Sequence, residues 1–471
     1  MPAIGFPVQS APGPTPQESA GRLLNAYAGT TPEGSGSVNI IRRVPGLISF
    51  CDTGQSVPRG LLRAGNYVFA AYKNAVMRID QGGVASYVGV LPGSGPVYMA
   101  LNNRTPIPDI VAVSEDGAYV ITSSSVSELA ESSLPQPNSV CMIDGYFFFS
   151  IADGRMFATG LNDTDINALT VARAEARQGG LTRVIPYNGQ LFACKPTSIE
   201  VWNNTAEPSP GFPFSRAAVI DQGLLAPRAV AGVQEGFATA LIMVTDDGAV
   251  SSLNGYQMVK ISTADVDRAI SSVADKSTLR AVAYTCDGTP FWALTAPDWT
   301  WEYNLELRRW HERESHGLGR WRIGSTVYAG QKWLGADTTS GRILEISSAA
   351  DDEAGEPLEW LVESIQMGSF PKSYRVGRTE FDFVVGVGRD AGADPIETDP
   401  TLRASWSDDG GVIWKTPVVV PLGREGDGRR RVRMPGQLGR TGAKGRRWRL
   451  QVSDPVHVAL LGGDMDVRAG K

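Results

Sequence analysis

Val140-Cys141-Met142-Ile143-Asp144-Gly145-Tyr146-Phe147-Phe148-Phe149-Ser150, continuing through Asp153-Gly154 into Arg155-Met156-Phe157, decides the fold. Two apolar runs meet across Asp144-Gly145, and a third follows the second Asp-Gly. Asp-Gly and Asn-Gly supply the positive φ angles that tight hairpin turns require. A run such as Tyr146 to Phe149 is apolar at every position, as expected of a strand covered on both faces. The stretch therefore reads as the first strands of a small antiparallel sheet that must be covered above and below.

The same pattern recurs on either side of it. Earlier copies start near Leu61 and Val97, the second turning at Glu115-Asp116-Gly117. Later copies start near Thr182, Arg228, Arg280 and Ser325, with turns at Asn188-Gly189, Asp247-Gly248, Asp287-Gly288 and Ser340-Gly341. Starts spaced by about 36 to 52 residues match the length of four-stranded propeller blades. Radial stacking buries both faces of each sheet and leaves only short edges. The expectation is an all-β β-propeller of about seven blades over residues 59–348, with six or eight blades, or an ordinary sandwich or barrel of unrelated hairpins, as the competing readings. Helix is scarce: Glu18 to Tyr27 and residues 262–279, capped by Ser262 or Thr263, are the two helical expectations.

The flanks differ in composition. Residues 1–58 are rich in Pro, Gly, Ser and Thr and read as an arm with no core of its own. Ala349 to Pro357 reads as an acidic linker and Ala391 to Pro400 as a loop. Residues 349–471 read as a C-terminal, sandwich-like β-domain, and the arm must pack on something else. Leu161–Gly179 and Thr205–Gln222 are the longest polar interruptions and are expected to protrude.

Apolar residues make up 42% of the 471, too many for wholesale disorder. The formal charge of −6 exerts no global pull on nucleic acid or anionic membrane. No basic segment followed by an apolar run marks a secretory signal, and no run reaches the roughly 18 apolar residues of a membrane helix. Cys51, Cys141, Cys194 and Cys286 lie far apart, three of them in apolar runs, and read as buried small hydrophobes in a reducing compartment.

No catalytic, cofactor-binding or metal-ligating residue is assigned, and no cofactor is expected. The histidines are His311, His316 and His457, the first two in a polar, charged turn, and no GxSxG elbow or phosphate-binding GxxxxGK[ST] accompanies them. Asp246-Asp247 and Asp351-Asp352 read as turn and linker. Ser407-Asp408-Asp409-Gly410-Gly411-Val412-Ile413-Trp414 fits the Asp-box hairpin seen in sialidases, in which carboxylate and hydroxyl tie the turn's amides while the Trp packs beneath. Residues 421–450 carry ten basic and two acidic side chains, among them Arg429-Arg430-Arg431-Val432-Arg433 and Arg446-Arg447-Trp448-Arg449. Two readings compete for these strands: phosphate-backbone contact, or packing against an acidic neighbouring chain, which the net negative charge favours.

Together these features resemble the tail nozzle, or packaged-DNA stabilisation, proteins of short-tailed bacteriophages. The likeness is carried by Arg22-Leu23-Leu24-Asn25-Ala26-Tyr27 leading to Val44-Pro45-Gly46-Leu47, by Ala404 to Trp414, by Leu438-Gly439-Arg440, and by Arg446 to Val456. It departs from the family's opening at Ala28-Gly29. The resemblance implies a structural, non-enzymatic virion protein made in the host cytoplasm. It implies a homohexameric ring at the head-tail connector, below the portal and adaptor, with the N-terminal arm packed with the C-terminal domain as the face meeting the adaptor. Such a ring prolongs the channel for double-stranded DNA, retains packaged genome, opens for DNA ejection, and meets tail fibre, spike or tip proteins, with no small-molecule substrate. A sialidase-like propeller glycosidase and a cellular propeller scaffold are the alternatives. A glycosidase needs two carboxylates facing across a cleft, and a cellular scaffold would lack the Asp-box ending.

Overall fold

Every repeat start read from the sequence opens an antiparallel sheet. The computed structural model describes residues 3–29, 39–105, 108–129, 131, 133–205, 211–237, 239–368, 370–388 and 394–469. Two compact units divide the chain, one formed by residues 49–297 and 322–346, the other by residues 1–48, 298–321 and 347–471.

The first unit is the β-propeller. Sheet one holds Gly60–Ala64, Tyr67–Ala71, Val76–Ile79 and Ala85–Gly89. Sheet two holds Tyr98–Leu101, Ile110–Ser114, Gly117–Ile121 and Val126–Glu128. Sheet three, from the decisive stretch, holds Pro137–Ile143, Tyr146–Ile151, Arg155–Ala158 and Val171–Arg173. Sheet four holds Arg183–Tyr187, Gln190–Cys194, Ile199–Asn204 and Phe214–Ile220, and sheet five Val230–Ala231, Ile242–Val244, Val250–Asn254 and Gln257–Lys260. In each of these five the strands pair in chain order. Sheet six has the pair Arg280–Cys286 and Thr289–Thr295; sheet seven has Ile323–Ala329, Lys332–Asp337 and Ile343–Ser347.

The turns form for the expected reason. Asp144-Gly145, Asn188-Gly189 and Asp287-Gly288 all have positive φ at both residues, which matches the twist of the strands they join. The stacking is visible in the cores. Phe148, Met156 and Cys141 of sheet three bury against Val184, Leu191 and Phe214 of sheet four. Equivalent cores join sheets one and two, two and three, and four and five. Val327, Leu334 and Ile343 of sheet seven bury with Val68, Tyr72 and Ile79 of sheet one, so the ring closes. A hydrogen bond of 2.9 Å from the Tyr72 hydroxyl to the Gly341 carbonyl seals that joint, and burial pushes the phenol's pKa up to about 12.

Ala264–Ser272 is the helix expected between sheets five and six, with Thr263 accepting from the Val266 amide at its N-cap. Leu161–Gly179 and Thr205–Gln222 protrude less than their polarity suggests. The outer strands Val171–Arg173 and Phe214–Ile220 fall within them, and Ile166 is in the core. Residues 206–210 lie outside the described residues.

The second unit is a two-sheet β-domain. Its first sheet runs Thr300–Asn304, Arg309–Glu312, Arg22–Leu24, Trp360–Glu363, Arg447–Val452, Thr401–Ser407 and Val418–Pro421. Its second runs Ala26–Gly29, Ile40–Arg43, Ala459–Ala469, Tyr374–Phe383 and Val432–Arg433. Leu23, Ile41, Trp360, Phe381, Trp448 and Leu450 share one core, so the arm is built into the C-terminal domain, as its lack of a core requires.

The helix expected over Glu18–Tyr27 is absent. Arg22–Leu24 is instead a strand, parallel to Arg309–Glu312 and antiparallel to Trp360–Glu363. Gly21 at φ +115° and Asn25 at φ +50° break any helix there, and pairing on both sides outweighs local propensity. The acidic stretch 349–357 is likewise more than a linker. Asp352–Glu353 pairs with Glu356–Pro357 and lies parallel to Leu47, with Glu353 buried. In the stretch read as a loop, Pro395–Thr398 forms one helical turn, and residues 391–393 lie outside the described residues.

Candidate functional site: an arginine-lined axial cavity

The first strand of each of the seven sheets lines one cavity of about 510 Å³ on the propeller axis. Arginines punctuate it at equivalent places. Arg59, Arg183 and Arg228 each stand within two residues of the start of a first strand, and Arg280, which opens another, is not among the lining residues. Arg59 is consumed locally, its guanidinium caged by the carbonyls of Leu91, Pro92, Gly95 and Lys73 at 2.6–3.2 Å. Arg63 pairs with Glu235 at 3.0 Å. Arg183 lies 4.6 Å over the Tyr98 ring and donates to the Pro227 carbonyl at 3.0 Å. Arg228 donates to the Gly324 carbonyl at 3.4 Å, close to the Arg280 guanidinium, which stands 3.4 Å from where a Cβ on Gly324 would lie. Burial lowers the Arg228 pKa, and the like charge of Arg183 pulls it down further. Among the described residues no carboxylate forms an ion pair with Arg183 or Arg228.

Reading the sequence did not single out these arginines. Arg228-Ala229-Val230 and Arg280-Ala281-Val282 repeat the same three residues at two successive repeat starts. That was the available signal.

The basic C-terminal strands divide into two sets. Arg446 and Arg447 are buried, which overturns both readings offered for them. Their acidic partners lie in the same chain: Arg446 Nε to Asp408 at 2.8 Å, Arg447 to Glu363 at 2.8 Å, with Arg449 on the other oxygen of Glu363 at 2.7 Å. Arg446 also lies beside the paired rings of Trp406 and Trp448, at 5.3 and 5.7 Å from their centroids. Arg429, Arg430, Arg431 and Arg433, by contrast, are exposed, and the two readings stay open for them.

The Asp box folds as its pattern demands. Asp409 Oδ1 accepts the Val412 and Ile413 amides at 3.0 Å each and the Ser407 hydroxyl at 2.6 Å; Ser407 accepts the Gly411 amide at 2.9 Å. Those bonds hold the Asp409 carboxyl below the usual range. Trp414 packs under Arg449, 3.9 Å from its ring.

His311 is not in a turn. It lies on the strand Arg309–Glu312, buried, with Nε2 2.9 Å from Glu302, which also pairs with Arg313 at 2.9 Å. Arg313 continues to the Pro45 carbonyl at 2.8 Å and lies 3.7 Å over Trp321. This is a buried ionic clamp within the β-domain. His316 and His457 are exposed. The four cysteines are free; burial pushes the Cys194 thiol up to about 12 and the Cys141 thiol higher still. Among the described residues no group of His, Cys, Asp or Glu is arranged to hold a metal ion.

Residues 23–351 match the family model described as bacteriophage P22 Gp10, β-propeller. None of the curated proteins matches the sequence. Among solved structures, the WD40 repeats of RRP9 are similar with a TM-score of 0.42 at 10% identity, covering 65% of this chain and 99% of that one. The WD40 β-propeller domain of Doa1 is similar with a TM-score of 0.42 at 9% identity, covering 64% and 96%.

Proposed function

The chain belongs to the bacteriophage P22 Gp10 β-propeller family, and from that membership we propose that it is a structural virion protein of the phage tail. In this reading it is a nozzle subunit. Copies form a homohexameric ring below the portal and adaptor, extend the DNA channel, retain the packaged genome and open for ejection. Its partners are its own copies, the adaptor ring, the tail tip proteins and passing duplex DNA, and it performs no catalysis.

The observation that carries the reading is the family match across the propeller. The size of the axial cavity supports it on physical grounds. A space of 510 Å³ is of small-molecule dimensions and does not admit a duplex. In this reading the DNA path therefore runs between copies arranged in a ring. The exposed Arg429–Arg433 segment fits contact with an acidic face of the next copy better than a grip on DNA, because a channel that releases its genome cannot hold phosphates tightly.

The test is the mass of the assembled particle, by native mass spectrometry with negative-stain imaging. Six copies in a ring is the expected result. A chain that stays monomeric both alone and beside its adaptor would sink the reading.

A further inference from the structure

We propose that Arg183, Arg228 and Tyr98 form a binding site for a small polyoxyanion of the inorganic phosphate class, held inside the axial cavity of the propeller. The half-buried guanidiniums of Arg183 and Arg228 line one cavity, where the charge of Arg183 helps to lower the pKa of Arg228, and among the described residues neither has a carboxylate partner. Like charges gathered in a half-buried cavity without a counter-charge repel one another, and an anion between them relieves that repulsion. Their carbonyl partners, Pro227 and Gly324, each occupy one nitrogen and carry no formal charge.

Donors remain for a ligand. Arg183 Nε and the Tyr98 hydroxyl are buried and have no hydrogen-bond partner within the protein. Buried polar groups are rarely left so. The arginine fork and a phenolic hydroxyl suit the oxygens of a tetrahedral dianion, to which charge-assisted hydrogen bonds are strong. At 510 Å³ the cavity holds such an ion with its bridging waters.

A phosphate could come from free ion or from nucleic acid, and the experiment separates them. Phosphate binding to the full chain is followed by isothermal titration and by the thermal midpoint, against chloride at equal ionic strength. Phosphate should raise the midpoint and chloride should not. Arg183→Met with Arg228→Met should weaken phosphate binding by about ten-fold or more for each lost charge-assisted contact. Tyr98→Phe keeps the ring that Arg183 covers and should fold even if the double variant does not. It should bind phosphate several-fold more weakly. A short DNA duplex should fail to compete. Phosphate affinity unchanged in Tyr98→Phe and in the double variant overturns the proposal. So does a chloride effect equal to that of phosphate, or competition by the duplex, which would move the site to the surface.

Discussion

Asn25 shows how one residue of the opening motif serves the fold. It is buried at φ +50°, a conformation Asn tolerates better than most side chains. Its amide donates to the Glu314 and Glu359 carbonyls at 2.9 and 2.8 Å and accepts from the Glu314 amide at 2.9 Å. Asn25→Ala removes these bonds and adds strain, so a loss of about 3 kcal/mol is expected by chemical denaturation. Asn25→Gly should be milder by about 1 kcal/mol, because it relieves the strain alone. Gly46 of the Pro-Gly-Leu turn is dictated by space, since a Cβ there would stand 2.3 Å from the Asp352 carbonyl. Asp337 carries a pH prediction. Burial works to raise its carboxyl, but Arg322 at 2.7 Å, with Ser340 and Thr339, holds it below the usual carboxylate range. A depressed acid stabilises the fold above its unfolded pKa of about 3.9 and loses that contribution as pH falls through the folded value. Asp337→Asn should flatten the acid limb of the stability profile and cost about 3–5 kcal/mol at neutral pH, since Arg322 stays buried without its counter-charge.

At the scale of elements, stability resides between sheets. Phe148 is fully buried and meets Phe214 edge-on at 4.8 Å, joining sheets three and four. Phe148→Ala should cost about 3–5 kcal/mol. Hydrogen exchange should show the loss of protection spreading to Gln190–Cys194 in sheet four, because the cavity opens at the joint. Protection lost in sheet three alone would mean that the sheets are energetically separate. The repeats were legible in advance because turn chemistry and apolar runs are local properties. The arm's strands were not. A three-residue segment such as Arg22–Leu24 has no period to detect, and its extended form is imposed by partners about 290 and 340 positions away in sequence.

For the whole molecule, the exposed basic segment is the feature that distinguishes assembly from folding. Arg429 and Arg431 are exposed, and reversing them to Glu should leave the denaturation midpoint within about 0.5 kcal/mol of the parent. In the nozzle reading the same change should dissociate the ring in sedimentation experiments. A ring that persists while its DNA affinity collapses would instead assign these residues to DNA. Arg446 and Arg447 are expected to behave oppositely. They are buried against Asp408 and Glu363, so Arg447→Ala should unfold the β-domain before any effect on assembly can be read.

The sequence by itself determined the strand pattern, the turn positions, the propeller repeat and the Asp-box hairpin, since each depends on residues close together in the chain. Tertiary structure alone decided which charges are spent inside the molecule. Arg446 and Arg430 look alike in a basic run, yet one meets Asp408 beside two packed tryptophans and the other faces solvent. It also decided that Arg183 and Arg228, 45 positions apart, share one axial cavity. Closing a ring of sheets brings the first strand of every repeat to a common axis, and no local pattern reports which side chains meet there.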